Sequence, residues 1–219
     1  MSIPNRLLDS AHPSASLEQY RTLRTNLDFL RTTRQLKTIA ITSGAPAAGK
    51  SLTTANLAMA FAMAGVDTLV LDTDLRRPAQ HELFHLENRQ GVTTALMRGQ
   101  DPADFVQSGP LEHLYVLPSG PLPPYPTEVL ANGRIEALLE EISPLFDVVL
   151  VDTAPVLPYA ETSLVARAAN GVLYVVRAAQ SSRRVDRRAL DHLARAQAEI
   201  LGAVLNDASA KAIAVSYYG

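Results

Sequence analysis

The stretch Thr38-Ile39-Ala40-Ile41-Thr42-Ser43-Gly44-Ala45-Pro46-Ala47-Ala48-Gly49-Lys50-Ser51-Leu52 runs from an apolar segment through a loop of small residues into the start of a helix. Its Gly44, Gly49, Lys50 and Ser51 fit the pattern GxxxxGK[ST]. In such a loop, backbone N–H groups turn inward around a polyphosphate, and the following helix adds the positive end of its dipole. Lys50 then reaches the β- and γ-phosphates, and the Ser51 hydroxyl can ligate Mg²⁺. Thr38 to Thr42 has polar ends around an apolar centre, as a strand does. Ser51 to Ala64 contains neither Pro nor Gly and reads as a helix stopped by Gly65. Strand, loop and helix stand in the order that phosphate binding requires. The expected nucleotide contacts are Gly44, Ala45, Pro46, Ala47, Ala48, Gly49, Lys50, Ser51 and Leu52.

The surroundings limit what this loop can serve. A chain of 219 residues suits one α/β domain with an appendage and can bury a large core. Its net charge of −2 gives no reason to expect nucleic acid or an acidic membrane as a partner. Without Cys there are no disulfides, thiolate metal sites or Cys nucleophiles. Met1-Ser2-Ile3-Pro4 carries no signal-peptide pattern, and the apolar run Leu57 to Ala64 is far short of the roughly 20 residues of a membrane span. A cytoplasmic protein without a span of its own is expected.

Residues 1–37 precede the phosphate-loop strand and read as an arm followed by an amphipathic helix. Leu17, Tyr20, Leu23, Leu27 and Leu30 repeat at helical spacing, with Ser16 and Gln19 as a possible capping box. Glu18, Arg21, Arg24, Asp28 and Arg31 occupy the other face. From residue 38 the pattern becomes strand–helix alternation. Strands are expected at Thr38 to Thr42, Thr68 to Asp72, Leu114 to Leu117, Val148 to Val151, Gly171 to Val176 and Ile200 to Leu205. Helices are expected at His81 to Glu87, Thr93 to Arg98, Thr127 to about Ile142, Thr162 to Ala169 and Ser182 to about Ala198. Six apolar strands alternating with helices predict an α/β, P-loop NTPase-like fold. Its sheet is mostly parallel, with helices on both faces and the N-terminal amphipathic helix added. The expected division is 1–37 for arm and helix, 38–210 for the nucleotide-binding domain and 211–219 for a tail.

Carboxylates follow two of these strands. Leu69-Val70-Leu71-Asp72-Thr73-Asp74-Leu75-Arg76 sets two carboxylates and an arginine where a strand leaves the sheet, the usual place for ligands in open α/β folds. Such a group can hold Mg²⁺ or accept a proton from an attacking hydroxyl. Val149-Leu150-Val151-Asp152 is a second apolar strand ending in Asp, a Walker B arrangement directed at Mg²⁺. Asn206, at the end of the last strand, is either a base contact or a strand-end turn. The absence of an Asn-Lys-x-Asp motif favours ATP over GTP. His81-Glu82-Leu83-Phe84-His85 matches HExxH, but the segment is short and has no evident third ligand, so no zinc is expected.

Together these motifs resemble the bacterial tyrosine kinases of polysaccharide assembly. The DxDxR pattern is met by Asp72, Asp74 and Arg76. The DxxP pattern is met by Asp152 and Pro155, and ExxRxxR by Glu18, Arg21 and Arg24. Pro118 to Glu128 is similar to the family's proline loop. The resemblance implies an ATP- and Mg²⁺-dependent kinase that phosphorylates tail tyrosines, here Tyr217 and Tyr218, in trans. It implies a homo-oligomeric ring with Glu18, Arg21 and Arg24 as subunit contacts. It also implies recruitment to the inner face of the plasma membrane by the cytoplasmic tail of a membrane-anchored chain-length regulator. Lys50 would hold the phosphates, Ser51, Asp74 and Asp152 would organise Mg²⁺, and Asp72 would accept the tyrosine proton. The family loop usually runs Pro-Gly-Glu-Gly-Lys, so Ala47 stands where a glycine is common and a positive φ there would be strained.

Two other readings compete. One is a non-kinase switch ATPase of the partition and division-site class, which usually carries a second lysine early in the loop; the region Gly44 to Ala47 has none. The other is a nucleotide-binding scaffold with weak catalysis.

Overall fold

β1 (Thr38–Thr42) lies inside the sheet, parallel to β5 (Val148–Asp152) on one side and β6 (Gly171–Arg177) on the other. All five of its residues are buried, which explains its apolar centre. The computed structural model describes residues 7–8, 15–178 and 180–208. Beyond β5 come β2 (Thr68–Asp72), β4 (Leu114–Leu117) and β3 (Gln107–Ser108), and beyond β6 comes β7 (Ile200–Asn206). The order is β3-β4-β2-β5-β1-β6-β7, parallel except for the β3–β4 pair. The six expected strands are present. The seventh, β3, is two residues long, too short for any periodic signal.

Helices α1 (Ala15–Arg34), α2 (Lys50–Ala62) and α3 (Gln80–Phe84) cover one face. Leu17, Leu27, Leu57 and Phe61 pack there with Ile39, Ile41, Val70 and Leu150. Helices α4 (Val92–Arg98), α5 (Pro126–Leu130), α6 (Arg134–Ile142), α7 (Glu161–Ala168) and α8 (Arg183–Arg195) cover the other. Leu130, Ile135, Leu138, Val165 and Leu193 meet Leu69, Leu71, Val149, Val151 and Tyr174. The period of two sends Leu69 and Leu71 to one core and Val70 to the other. Each such side chain contributes about 1.5–3 kcal/mol on burial.

Three local expectations are corrected. The single helix from Thr127 to Ile142 is two helices, because Asn132 (φ 59) and Gly133 (φ 78) turn left-handed between α5 and α6. Asn and Gly are the residues that do this at least cost. Ser16 lies inside α1 rather than capping it. Helix α3 ends at Phe84 with His85 left-handed, so His81 and His85 do not share a helical face.

Register prepares the site. Asp72 and Asp152 are Cα partners on β2 and β5, and Ile41 of β1 is opposite Asp152. The carboxyl ends of three neighbouring strands are therefore level, with the loop 43–49 leaving β1 among them.

Candidate functional site: a phosphate loop beside three strand-end carboxylates

The loop enters α2 through Gly49, whose φ of 91 demands glycine. A Cβ at Gly49 would also come within 2.0 Å of the Asn206 amide nitrogen. That nitrogen donates to the Ala48 carbonyl at 3.0 Å, so Asn206 holds the loop from the end of β7. Gly44 is needed for packing: a Cβ there would meet the Tyr174 hydroxyl, which hydrogen-bonds Asp186 of α8. Ala47 has φ 61, the strained conformation its methyl makes costly by roughly 1–2 kcal/mol. Arg177, at the end of β6, donates to the Ala47 carbonyl at 3.0 Å and pairs with Asp207 at 3.1 Å. Two strand-end side chains thus hold the Ala47-Ala48 carbonyls in place.

Beside the loop lies an open cavity of about 640 Å³, within the size range of small-ligand sites. Pro46, Ala47, Gly49, Lys50, Ser51, Leu52 and Asp74 line it, as do Arg77, Pro155, Tyr159 and Arg177. Gly44, Ala48, Asp72 and Asp152 are buried and do not line it, and neither do the exposed Ala45 or the half-buried Asn206. Lys50 is buried at the start of α2.

The three carboxylates differ in surroundings. Asp72 is fully buried and accepts backbone N–H groups from Asp74 at 3.1 Å and from Ala79 and Gln80 at 3.0 Å each. Burial first, and then the charge of Asp152, push its pKa well above the ordinary carboxylate range. Asp74 reaches the cavity and folds its own loop by accepting from the N–H groups of Arg76 and Arg77. Asp152 is pushed up to about 6 by burial, against the opposing pull of the Lys50 charge, the nearby Ser51 hydroxyl and the Gln80 hydrogen bond. Its Oδ1 is buried without a hydrogen-bond partner. An orphaned carboxylate oxygen next to a serine hydroxyl is a donor set that suits a hard divalent cation.

Several residues of this neighbourhood carry no motif signal. Gln80 touches Asp152 and α2 together. The buried Glu161 is another: it pairs with Arg76 of the DxDxR segment and accepts from Thr127 at 2.7 Å. Burial pushes Glu161 up, but these hydrogen bonds outweigh it and hold the carboxyl below its usual range. The Arg76 guanidinium also lies 4.3 Å from the Tyr159 ring centroid, a cation–π contact. Arg177 had one available signal: it ends an apolar strand at the ligand-binding edge.

Farther off, Glu18 and Arg21 form an exposed i,i+3 ion pair at 2.6 Å on α1. Arg24 turns inward and donates to the Ala60 carbonyl of α2. Tyr217 and Tyr218 lie outside the described residues.

The family model described as ParA: NUBPL iron-transfer P-loop NTPase matches residues 35–214. The tyrosine-protein kinase YwqD of Bacillus subtilis is 38% identical over 207 residues, 94% of this chain and 87% of that protein. The kinase domain of the Escherichia coli tyrosine kinase ETK superposes with a TM-score of 0.86 at 30% identity, covering 94% of this chain and 80% of that one. The chimerical protein CapA2B2 gives 0.82 at 34% identity, covering 88% and 84%. By loop, fold and relatives, the chain is a P-loop NTPase and belongs to the bacterial tyrosine kinase family.

Proposed function

We propose that this kinase transfers the ATP γ-phosphate to tail tyrosines of a neighbouring copy, with Mg²⁺ as cofactor, in the control of capsular or exopolysaccharide synthesis and export. The observation that carries the site reading is the level ending of β1, β2 and β5, which gathers the loop, Asp72 and Asp152. Phosphoryl transfer needs mostly positioning and charge neutralisation. Lys50 and the loop amides hold the β- and γ-phosphates. Ser51, Asp74 and Asp152 are the residues that would hold Mg²⁺, which supplies charge stabilisation on the phosphate oxygens. Asp72 is proposed to accept the phenol proton, because its raised pKa makes it a stronger base than an ordinary carboxylate. Asp74 is the strand-end carboxylate that lines the cavity and is the alternative acceptor.

The test is incubation with Mg-ATP followed by mass-spectrometric mapping of phosphate. Phosphotyrosine at Tyr217 or Tyr218, absent from the double Phe variant, is expected. ADP release without phosphotyrosine would instead support the switch ATPase, and binding without turnover would support the scaffold. Asp72→Asn and Asp74→Asn in the same assay separate the two acceptors. If Asp72→Asn keeps full turnover, Asp72 is not the base.

Residues 1–37, 38–210 and 211–219 are proposed as oligomerisation arm, kinase domain and phosphoacceptor tail. The exposed Glu18–Arg21 pair, with Phe29 71% exposed on the same helix, supports α1 as a ring contact. Arg21→Ala with Arg24→Ala should reduce the particle mass measured by light scattering; an unchanged mass would remove both from the interface. The activating partner is proposed to be the cytoplasmic tail of a membrane-anchored regulator, which would also bring the kinase to the membrane's inner face. Among the described residues no helix is long and apolar enough to cross a membrane. A peptide of that tail should raise autophosphorylation several-fold, on the order of the 5–150-fold typical of allosteric coupling. No change in rate at saturating peptide would count against this partner.

A further inference from the structure

Gln80 is fully buried at the first position of α3 and belongs to none of the motifs. Its amide nitrogen donates to Asp152 Oδ2 at 2.7 Å and to the Ser51 carbonyl at 3.1 Å. Its backbone N–H donates to Asp72 Oδ2 at 3.0 Å. One residue therefore touches the phosphate-loop helix and both strand-end aspartates. Chemistry decides the orientation of the amide: both atoms it faces are acceptors, so the nitrogen must face them. With Oδ2 engaged, Asp152 Oδ1 is left buried without a partner, and so is Gln80 Oε1. Buried acceptors without donors are rare. Water held by a cation presents its hydrogens outward, so two such acceptors suit the waters of a hydrated divalent ion.

We propose that Gln80 is a positioning residue for the divalent cation. By holding Asp152 through Oδ2 it reserves Oδ1 for the ion or its water, and through the Ser51 carbonyl it ties that carboxylate to the helix bearing the Ser51 hydroxyl. The inference rests on Asp152 being a cation-side carboxylate of the nucleotide site. A glutamine does this where a glutamate would not, because a second carboxylate would repel Asp152 and offer no donor. Hydrogen-bonding partners behind a metal ligand typically change metal affinity 10–100-fold.

The test is equilibrium binding of a fluorescent ADP analogue to the full chain, in EDTA and in saturating Mg²⁺. The ratio of the two dissociation constants measures how strongly the cation supports nucleotide binding. Gln80→Met keeps length and bulk but removes the amide. It should lower that ratio by about 10-fold or more; any effect on binding in EDTA is divided out. In an Asp152→Asn background the same substitution should change the ratio by less than about twofold, because the carboxylate it acts through is gone. An unchanged ratio in Gln80→Met overturns the proposal. So does an equal loss in both backgrounds, which would make Gln80 a packing residue. If the unaltered chain shows no Mg²⁺ dependence, the cation reading of Asp152 fails first and the inference falls with it. Gln80→Asn, which keeps an amide one methylene too short to span both contacts, should lower the ratio in the same way and serves if Gln80→Met does not fold.

Discussion

Lys50→Met lowers phosphotyrosine formation by about 10³-fold, read by mass spectrometry of the tail after incubation with Mg-ATP. Two effects act in the same direction. On the role proposed for Lys50, the γ-phosphoryl group loses the cation that follows its charge into the transition state, and deleting one preorganised donor typically costs 10²–10³ in rate. The second effect comes from within the site. Lys50 is the largest influence pulling the Asp152 pKa down. Without it, Asp152 titrates above the present value of about 6, and less of it is ionised at neutral pH. The helix itself should survive, since Met is a good helix former and a cation at a helix N-terminus opposes the dipole. Phosphotyrosine at the level of the unaltered chain would show that Lys50 does not hold the transferring phosphate.

Asp152→Asn makes the protein more heat-stable at pH 7.5 while lowering Mg²⁺-dependent turnover by about 10–100-fold. The folded chain raises Asp152 from 3.8 to about 6. Between those values the folded state binds the proton more tightly than the unfolded chain does. Stability contributed by this group is therefore lost as pH rises through that window, and the cost is fully present above about 6. At 1.36 kcal/mol per pKa unit the cost is about 3 kcal/mol. The attraction of Lys50 is already included, because the upward displacement is what remains after it. A neutral Asn keeps an acceptor for Gln80 and removes the buried charge, so the melting midpoint should rise by several degrees, at about 2–4 °C per kcal/mol for a chain of this size. Near pH 4 the two proteins should melt together. A lower midpoint for Asp152→Asn at pH 7.5 would show that its hydrogen bonds outweigh the charge. On the proposed role of Asp152, the site is built at the expense of the fold, as functional carboxylates often are.

The fold was legible wherever burial enforces a period. Runs such as Val148 to Val151 are apolar because both sheet faces are covered, and the strand-end aspartates stand out against them. The break at Asn132-Gly133 left a weaker mark, since one Asn-Gly pair inside an otherwise helical pattern does not say which way the chain turns. For the candidate site, the gathering of Lys50, Ser51, Asp72, Asp74 and Asp152 was legible, because spacing within each segment sets each of them at a strand end or helix start. Gln80 and Arg177 were not, because their partners are distant in sequence: Asp152 is 72 residues from Gln80, and Ala47 is 130 from Arg177. Such contacts depend on strand order, which hydrophobic periodicity does not encode. Asn206 was open between base contact and turn, and its bracing of the loop, 158 residues away in sequence, was not foreseen.

The strand order also bears on how the chain reaches its folded state. β1 is made well before its two neighbours, β5 and β6, which begin at Val148 and Gly171. At a synthesis rate of roughly 5–20 residues per second, an apolar strand waits on the order of ten seconds on the ribosome before either partner exists. During that interval the phosphate loop has no sheet to project from. Nucleotide therefore cannot template the early chain, and β1 remains in that interval an unpaired apolar segment of the kind that aggregates or is held by chaperones.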